Sequence, residues 1–254
     1  MGIWFMTGFE GQTTQIIPAS DQWGMGISTS TKKSGNCSCY LQTPNQGSGG
    51  FHVRVPSSMT ITNIYGAHWF HPHDASGTDS SCRLFIYYTD NSYNQIWWYR
   101  YGRMYYYRGD TQVVETAVLM ASDWNHIQWW VYADSTNGRV VVYWNGIEVI
   151  NYTGNTRPGN SSQVSYVSFQ FHKQWYSGQS LVTYLDDLVL SDSGFPGDIR
   201  VERIYPNADT ANKAWTPQSG SDNYAMVDEV PRARITCTPA PTEQWTTMRS
   251  APST

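Results

Sequence analysis

The chain has 254 residues and a net charge of −4. That length suits one all-β sandwich domain, and the charge leaves no basic stripe of the kind nucleic-acid binding requires. Aromatic residues make up 15% of the chain, with 12 Trp and 18 Tyr, and charged residues only 14%, so solubility rests on Ser, Thr, Asn, Gln and Gly. No apolar stretch is long enough to span a bilayer. The start from Met1 to Gly8 has no basic leader and no apolar run before a cleavage site, so no signal peptide is expected.

Taken in order, Ile3 to Ile17 carries Phe5 and Phe9 and reads as a first strand that docks into a sheet. Trp23 to Ile27 is a short strand and Cys37 to Gln42 the next, while Pro44 to Gly50 is a loop by composition. Phe51 to Val55 alternates until Pro56 stops it. Ile61 to Phe70 resumes the pattern, and His71 to Gly77 is a loop. Strands follow at Arg83 to Thr89, Gln95 to Tyr99, Arg103 to Arg108 and Gln112 to Leu119, with turns near Asp90 and at Gly109-Asp110.

Trp124 to Tyr152 is the most legible stretch. Ile127, Trp129 and Val131 alternate with Gln128, Trp130 and Tyr132, the period of two that a pleated strand imposes. Asn137-Gly138 and Asn145-Gly146 then separate three antiparallel strands, and the second dipeptide suits a two-residue type I′ hairpin. Val140, Val142 and Trp144 share one face, Val141 and Tyr143 the other. One face packs inward, and the second is either covered by a loop or binds something. Val164 to Phe171 and Tyr184 to Leu190 are two more strands, after which the patterning is lost. Strands about a dozen residues apart, with no helical period, predict a sandwich or jelly roll.

The four cysteines, Cys37, Cys39, Cys82 and Cys237, show no zinc spacing and read as free buried thiols.

The Trp-led strand, the Gly turn, the Val-rich strand ending in Asn-Gly and the later Leu185-Asp-Asp-Leu188 strand together resemble the concanavalin A-like lectin/glucanase sandwich of laminin-G-like domains, over roughly residues 3 to 205. Tyr184 to Leu190, Gly197 to Glu202, Tyr205 to Asp209, Trp215 to Pro217 and Ser219 to Glu229 look more specifically like the version found in tailed-phage structural proteins. The resemblance implies an all-β, concanavalin A-like jelly-roll β-sandwich over residues 1–205 and an extended C-terminal segment over 206–254. From Arg232 onward the chain departs from the pattern into Pro, Thr, Ser and Arg, a tail that would pack on the sandwich or order on a neighbouring subunit.

Glycosidases of this fold need two carboxylates on one face. Asp186 and Asp187 are adjacent, so alternation sends them to opposite faces, and hydrogen bonding to nearby backbone is the expected role. His68, His71, His73 and Asp74 have metal-ligand chemistry but no recognised spacing, and a solvated polar loop is preferred. The turns around Asp90 and Asp134 carry oxygen ligands suited to calcium, though acidic turns commonly lack it. The candidate interaction surface is aromatic: Trp97, Trp98, Tyr99, Tyr101, Tyr105, Tyr107, Trp130 and Tyr132. Alternation divides Trp97, Tyr99 and Tyr101 from Trp98, so one of these sets is core.

The resemblance therefore implies a non-enzymatic phage virion subunit, a capsid decoration, head-fibre or tail-associated protein made in the host cytoplasm. It would bind other virion proteins and its own copies, with no cofactor, metal, nucleic acid or membrane. The alternative is a lectin-like module that contacts host surface glycans.

Overall fold

The computed structural model describes residues 2–10, 17–43, 47–72, 79–99, 102–118, 121–174, 181–197, 199–204 and 232–237. The strands in chain order are β1 Ile3–Thr7, β2 Gln22–Trp23, β3 Met25–Ser28, β4 Ser38–Thr43, β5 Gly47–Arg54, β6 Asn63–His71, β7 Asp79–Tyr88, β8 Tyr93–Tyr99 and β9 Arg103–Arg108. They continue as β10 Thr111–Ala117, β11 Asn125–Tyr132, β12 Gly138–Trp144, β13 Ile147–Gly154, β14 Val164–Gln174, β15 Leu181–Ser191, β16 Ile199–Ile204 and β17 Arg232–Cys237. One turn of 3-10 helix, Ala19–Asp21, precedes β2, and no α-helix occurs among the described residues.

Two antiparallel sheets form the sandwich. One runs β13-β12-β11-β6-β15-β4-β3, with β1 also paired to β15, and the other runs β10-β9-β8-β7-β14-β5-β2. Strands distant in sequence lie at the centre of each sheet, β6 against β15 and β7 against β14, which is the jelly-roll pattern. β16 and β17 pair in a separate two-stranded sheet, so residues 232–237 of the C-terminal segment adopt strand structure.

The inner faces merge into one apolar core with Trp129, Trp144, Tyr88, Tyr106, Phe51 and Phe169 fully buried. Trp129 fits because Gly66 lies opposite it in β6. A Cβ at that position would come within 2.2 Å of the indole. The three-strand meander β11-β12-β13 forms as the alternation requires, and Asn145 (φ 49°) and Gly146 (φ 80°) both adopt the left-handed backbone of a type I′ turn.

Several expectations change. Pro44 to Gly50 is not all loop, since β5 starts at Gly47. Its glycines suit a crowded strand: a Cβ on Gly49 would meet the Gln42 carbonyl oxygen at 2.2 Å and one on Gly50 the Phe169 carbonyl oxygen at 2.4 Å. Trp23 to Ile27 is broken at Gly24 (φ 56°), which sends β2 and β3 into different sheets. The first strand ends at Thr7, and His71 belongs to β6 rather than to a loop. At Asp186 the pairing with β6 shifts register and Asp187 takes φ 48°, a bulge that interrupts alternation. Both carboxylates therefore converge on Ser34 instead of pointing apart: Asp186 Oδ2 accepts from the Lys33 and Ser34 amides at 2.9 and 3.2 Å, and Asp187 Oδ1 from the Ser34 hydroxyl at 2.9 Å.

Candidate ligand-binding face of the seven-stranded sheet

Strand alternation carries one set of side chains from β7, β8 and β14 into the core, including Leu84, Ile86, Ile96, Trp98, Val167 and Phe169. The other set forms the outer face of the sheet, and the strand registers arrange it in rows across the strands. One row reads Tyr105, Trp97, Arg83, Gln170, Gly50, Trp23. Its neighbour on one side reads Tyr107, Gln95, Phe85, Ser168, His52, and on the other Arg103, Tyr99, Ser81, His172, Ser48. A further row is Tyr93, Tyr87, Tyr166, Arg54.

The aromatic members form two groups, one on β8 and β9 and one that runs from Tyr93 through Tyr87 and Tyr166 on the central strands to His52 and Trp23. Trp97 lies 4.5 Å from Tyr107, and Tyr99 lies 5.5 Å from Tyr105, centroid to centroid. Toward the other side, Tyr87 stacks on Tyr166 at 4.4 Å, and His52 contacts both Tyr166 and Trp23 at 4.8 Å. Trp23 lies over Gly50, where a Cβ would come 2.9 Å from its ring. These rings are only partly buried, except for Phe85.

Polar groups fill the strip between them and are held by hydrogen bonds. The Trp97 indole donates to Gln95 Oε1 at 2.6 Å, and Gln95 in turn donates to the Gly109 carbonyl at 2.8 Å. Gln170 donates to Ser168 Oγ at 3.1 Å, and Trp23 to Ser48 Oγ at 3.3 Å. The Arg83 guanidinium carbon sits 3.9 Å from the Trp97 ring centroid, a cation–π contact. Burial lowers the pKa of His52, and burial followed by the Arg83 charge lowers that of His172, so both imidazoles are biased toward the neutral form. Such a strip offers hydrogen-bond donors and acceptors at fixed positions between apolar platforms.

Of the residues singled out in the sequence, Trp97, Tyr99, Tyr105 and Tyr107 come together on this face. Trp98 does not. It is 2% exposed in the core, packed edge-on to Phe70, because β8 turns its Asn94, Ile96 and Trp98 side inward. Trp130 and Tyr132 lie on the outer face of the opposite sheet, where Trp130 stacks on Tyr65 at 5.4 Å. Tyr101 falls outside the described residues. Sequence reasoning missed Trp23, His52, Arg83, Tyr87, Tyr166, Gln170 and His172. The alternation of Arg83, Phe85, Tyr87 and of Tyr166, Ser168, Gln170, His172 was a signal for a shared face on each strand, but not for their meeting.

The remaining candidates resolve separately. His68 faces the core between Trp98 and Phe169 and burial lowers its pKa to about 3, whereas His71 is on the other side of β6 beside Asp123, so the two do not form a cluster. His73 and Asp74 lie outside the described residues. Asp90 accepts from Ser92, Asn160 and Ser161, and Asp134 from Thr136 and Asn137, so both carboxylates organise turns. Among the described residues no group of three His, Cys, Asp or Glu is placed to hold a metal ion. Cys37, Cys39 and Cys82 are free and buried, and burial raises their pKa values. An open groove of about 350 Å³ between Tyr40, Tyr184 and Ser28 lies on the opposite sheet, but no charged side chain lines it.

Fold and face together define a concanavalin A-like jelly-roll sandwich. The solved structures it resembles include the cellulose induced protein Cip1, at 17% identity and a TM-score of 0.54 over 74% of this chain and 97% of that one. Another is a Bacillus subtilis protein of unknown function with a galectin-like fold, at 11% identity and 0.51 over 75% and 96%. The Emp47p carbohydrate recognition domain aligns at 10% identity and 0.46 over 66% and 88%. At these identities the likeness is one of fold. No protein-family model and no curated protein matches the chain.

Proposed function

We propose that this protein is a non-catalytic carbohydrate-binding module and that the outer face of the seven-stranded sheet holds the glycan. The supporting observation is the row Trp97, Arg83, Gln170, Gly50, Trp23, which places an indole toward either side of the sheet with polar groups between them. Sugar rings present apolar C–H faces that stack on aromatic rings and hydroxyl edges that hydrogen-bond beside them. The two indoles belong to strands four spacings apart, ~19 Å across the sheet, which suits an oligosaccharide lying across the strands better than a single sugar. Of the described carboxylates at the borders of the face, Asp21 and Glu115 are each bound to an arginine and Asp110 accepts from the Tyr93 hydroxyl at 2.8 Å, and none of them lies in the central row between the two indoles.

Titration of a panel of oligosaccharides, followed by tryptophan fluorescence and calorimetry, tests the reading. Binding that weakens about 30-fold in Trp97→Ala, with the glycan's chain length unchanged after incubation, is the expected result. A flat response across the panel would remove the proposal, and depolymerisation would overturn its non-catalytic part.

The virion reading is supported by the linked motifs between Tyr184 and Glu229, and a particle subunit using this face on host glycans satisfies both. Truncation after Cys237, which spares β17, should reduce incorporation into particles. Undiminished occupancy would discard a docking role for the tail.

A further inference from the structure

Three arginines are described on this face, and two are already matched by carboxylates. Arg54 makes a two-point contact with Asp21 at 2.6 and 2.5 Å, and Arg103 pairs with Glu115. Arg83 differs. Among the described residues no carboxylate lies within ion-pair distance of it, although it sits in the middle row and is partly buried.

Its described partners are neutral. Nε donates to Ser81 Oγ at 3.1 Å, Nη2 donates to His172 Nδ1 at 3.2 Å, and the guanidinium carbon lies 3.9 Å from the Trp97 ring centroid. The donated bond makes Nδ1 of His172 an acceptor, which puts its proton on Nε2 and keeps the imidazole uncharged. A guanidinium that exchanges water for neutral partners loses solvation without gaining an opposite charge. Only two of its five N–H donors are used in these bonds. The fork is thereby held in one orientation and still has donors left, the arrangement that suits planar two-point recognition of an oxyanion.

Resting on the carbohydrate-binding reading, we infer that the glycan is anionic and that a carboxylate or sulfate substituent docks on Arg83, between Trp97 and His172. The stacked indole orients the sugar ring, and the guanidinium selects the charged substituent. Neutral glycans would use the same platforms without that selection.

The test compares dissociation constants for four probes of equal length: an oligogalacturonate, its methyl-esterified form, a cello-oligosaccharide and a sulfated cello-oligosaccharide. Wild type, Arg83→Gln, Arg83→Lys and Trp97→Ala are measured at low salt. One or both charged probes should bind at least about tenfold tighter than their neutral counterparts, the scale of one charge-assisted hydrogen bond. Arg83→Gln should abolish that ratio and Arg83→Lys keep only part of it, because an ammonium cannot fork. Preference for the uronate alone assigns a carboxylate, and preference for the sulfated probe assigns a sulfate. Near-UV circular dichroism and a thermal midpoint equal to the wild type's in both Arg83 variants report an intact face. Charged probes that bind no tighter than neutral ones, or an Arg83→Gln protein that keeps the preference, would overturn the inference. If neutral probes bind and depend on Trp97 while charge adds nothing, only the anionic inference fails. If no probe binds the wild type, the carbohydrate-binding reading fails with it.

Discussion

The two outer faces of the sandwich are both rich in aromatic residues, yet they differ in what covers them. On the eight-stranded sheet, Phe195, from the segment after β15, packs edge-on against Tyr65 and Tyr143, and Tyr65 stacks on Trp130. Lys33, from the segment before β4, places its ammonium 3.9 Å from the Trp69 ring, and Trp124 leans on His71. On the seven-stranded sheet, the described ring contacts of Trp23, His52, Tyr87, Tyr166, Trp97 and Tyr107 are all with rings of the same sheet. Aromatic content alone therefore does not mark a binding face. Among the described residues, ring and cation contacts from segments outside the sheet occur on one face and not on the other.

The largest expected effect tests that contrast directly. Trp97→Ala should weaken glycan binding about 30-fold, corresponding to the ~2 kcal/mol of a central aromatic contact, whereas Trp130→Ala should change it less than about twofold. Calorimetry on both variants checks this, and equal losses would dissolve the distinction between the faces.

The second prediction concerns the segment carrying Lys33, which is anchored by Asp186. Burial, and next the neighbouring Asp187, raise the pKa of Asp186 to about 8. Its folded value lies above the unfolded one, so its contribution is full at low pH and is lost as pH rises through about 8. Stability should fall by about 1 kcal/mol between pH 7 and 8, because the ionised carboxylate is buried beside Asp187, even though the Lys33 and Ser34 amides favour its charged form. Asp186→Asn should flatten that part of a denaturation–pH series; an unchanged slope would assign it to another group.

The third prediction concerns Phe195, which is 38% exposed. Phe195→Ala should cost about 0.5–1.5 kcal/mol in urea denaturation, the size of an aromatic pair contact, and should increase quenching of Trp130 by acrylamide. If the variant also acquires glycan binding through Trp130, chain cover alone separates the faces. If it does not, the polar strip around Arg83 is also required.

Much of the strand pattern was legible because alternation and Asn-Gly turns are local. Asn145-Gly146 specified its hairpin through the positive φ of both residues. Trp97, Tyr99, Tyr105 and Tyr107 were found as aromatic stretches of the kind that dominate interfaces, and the pairing of β8 with β9 is what makes them neighbours. Trp98 was harder. The inner side of β8 carries a buried Asn94, which bonds the Tyr88 hydroxyl and the Thr156 carbonyl, while the outer side carries Tyr93, Trp97 and Tyr99. Hydrophobicity does not separate the two sides of that strand.

Sequence by itself determined that the chain is all β, where most strands lie, and that the residues of each strand divide into two sets. Only the tertiary structure decided which set faces solvent and which strands become neighbours. Arg83 and His172 are 89 positions apart and meet because β7 pairs with β14. The candidate site is a product of those long-range pairings. Alternation is a property of each strand's own backbone, whereas a row across a sheet depends on backbone hydrogen bonds, and these can join any strands whose inner faces pack into the same core.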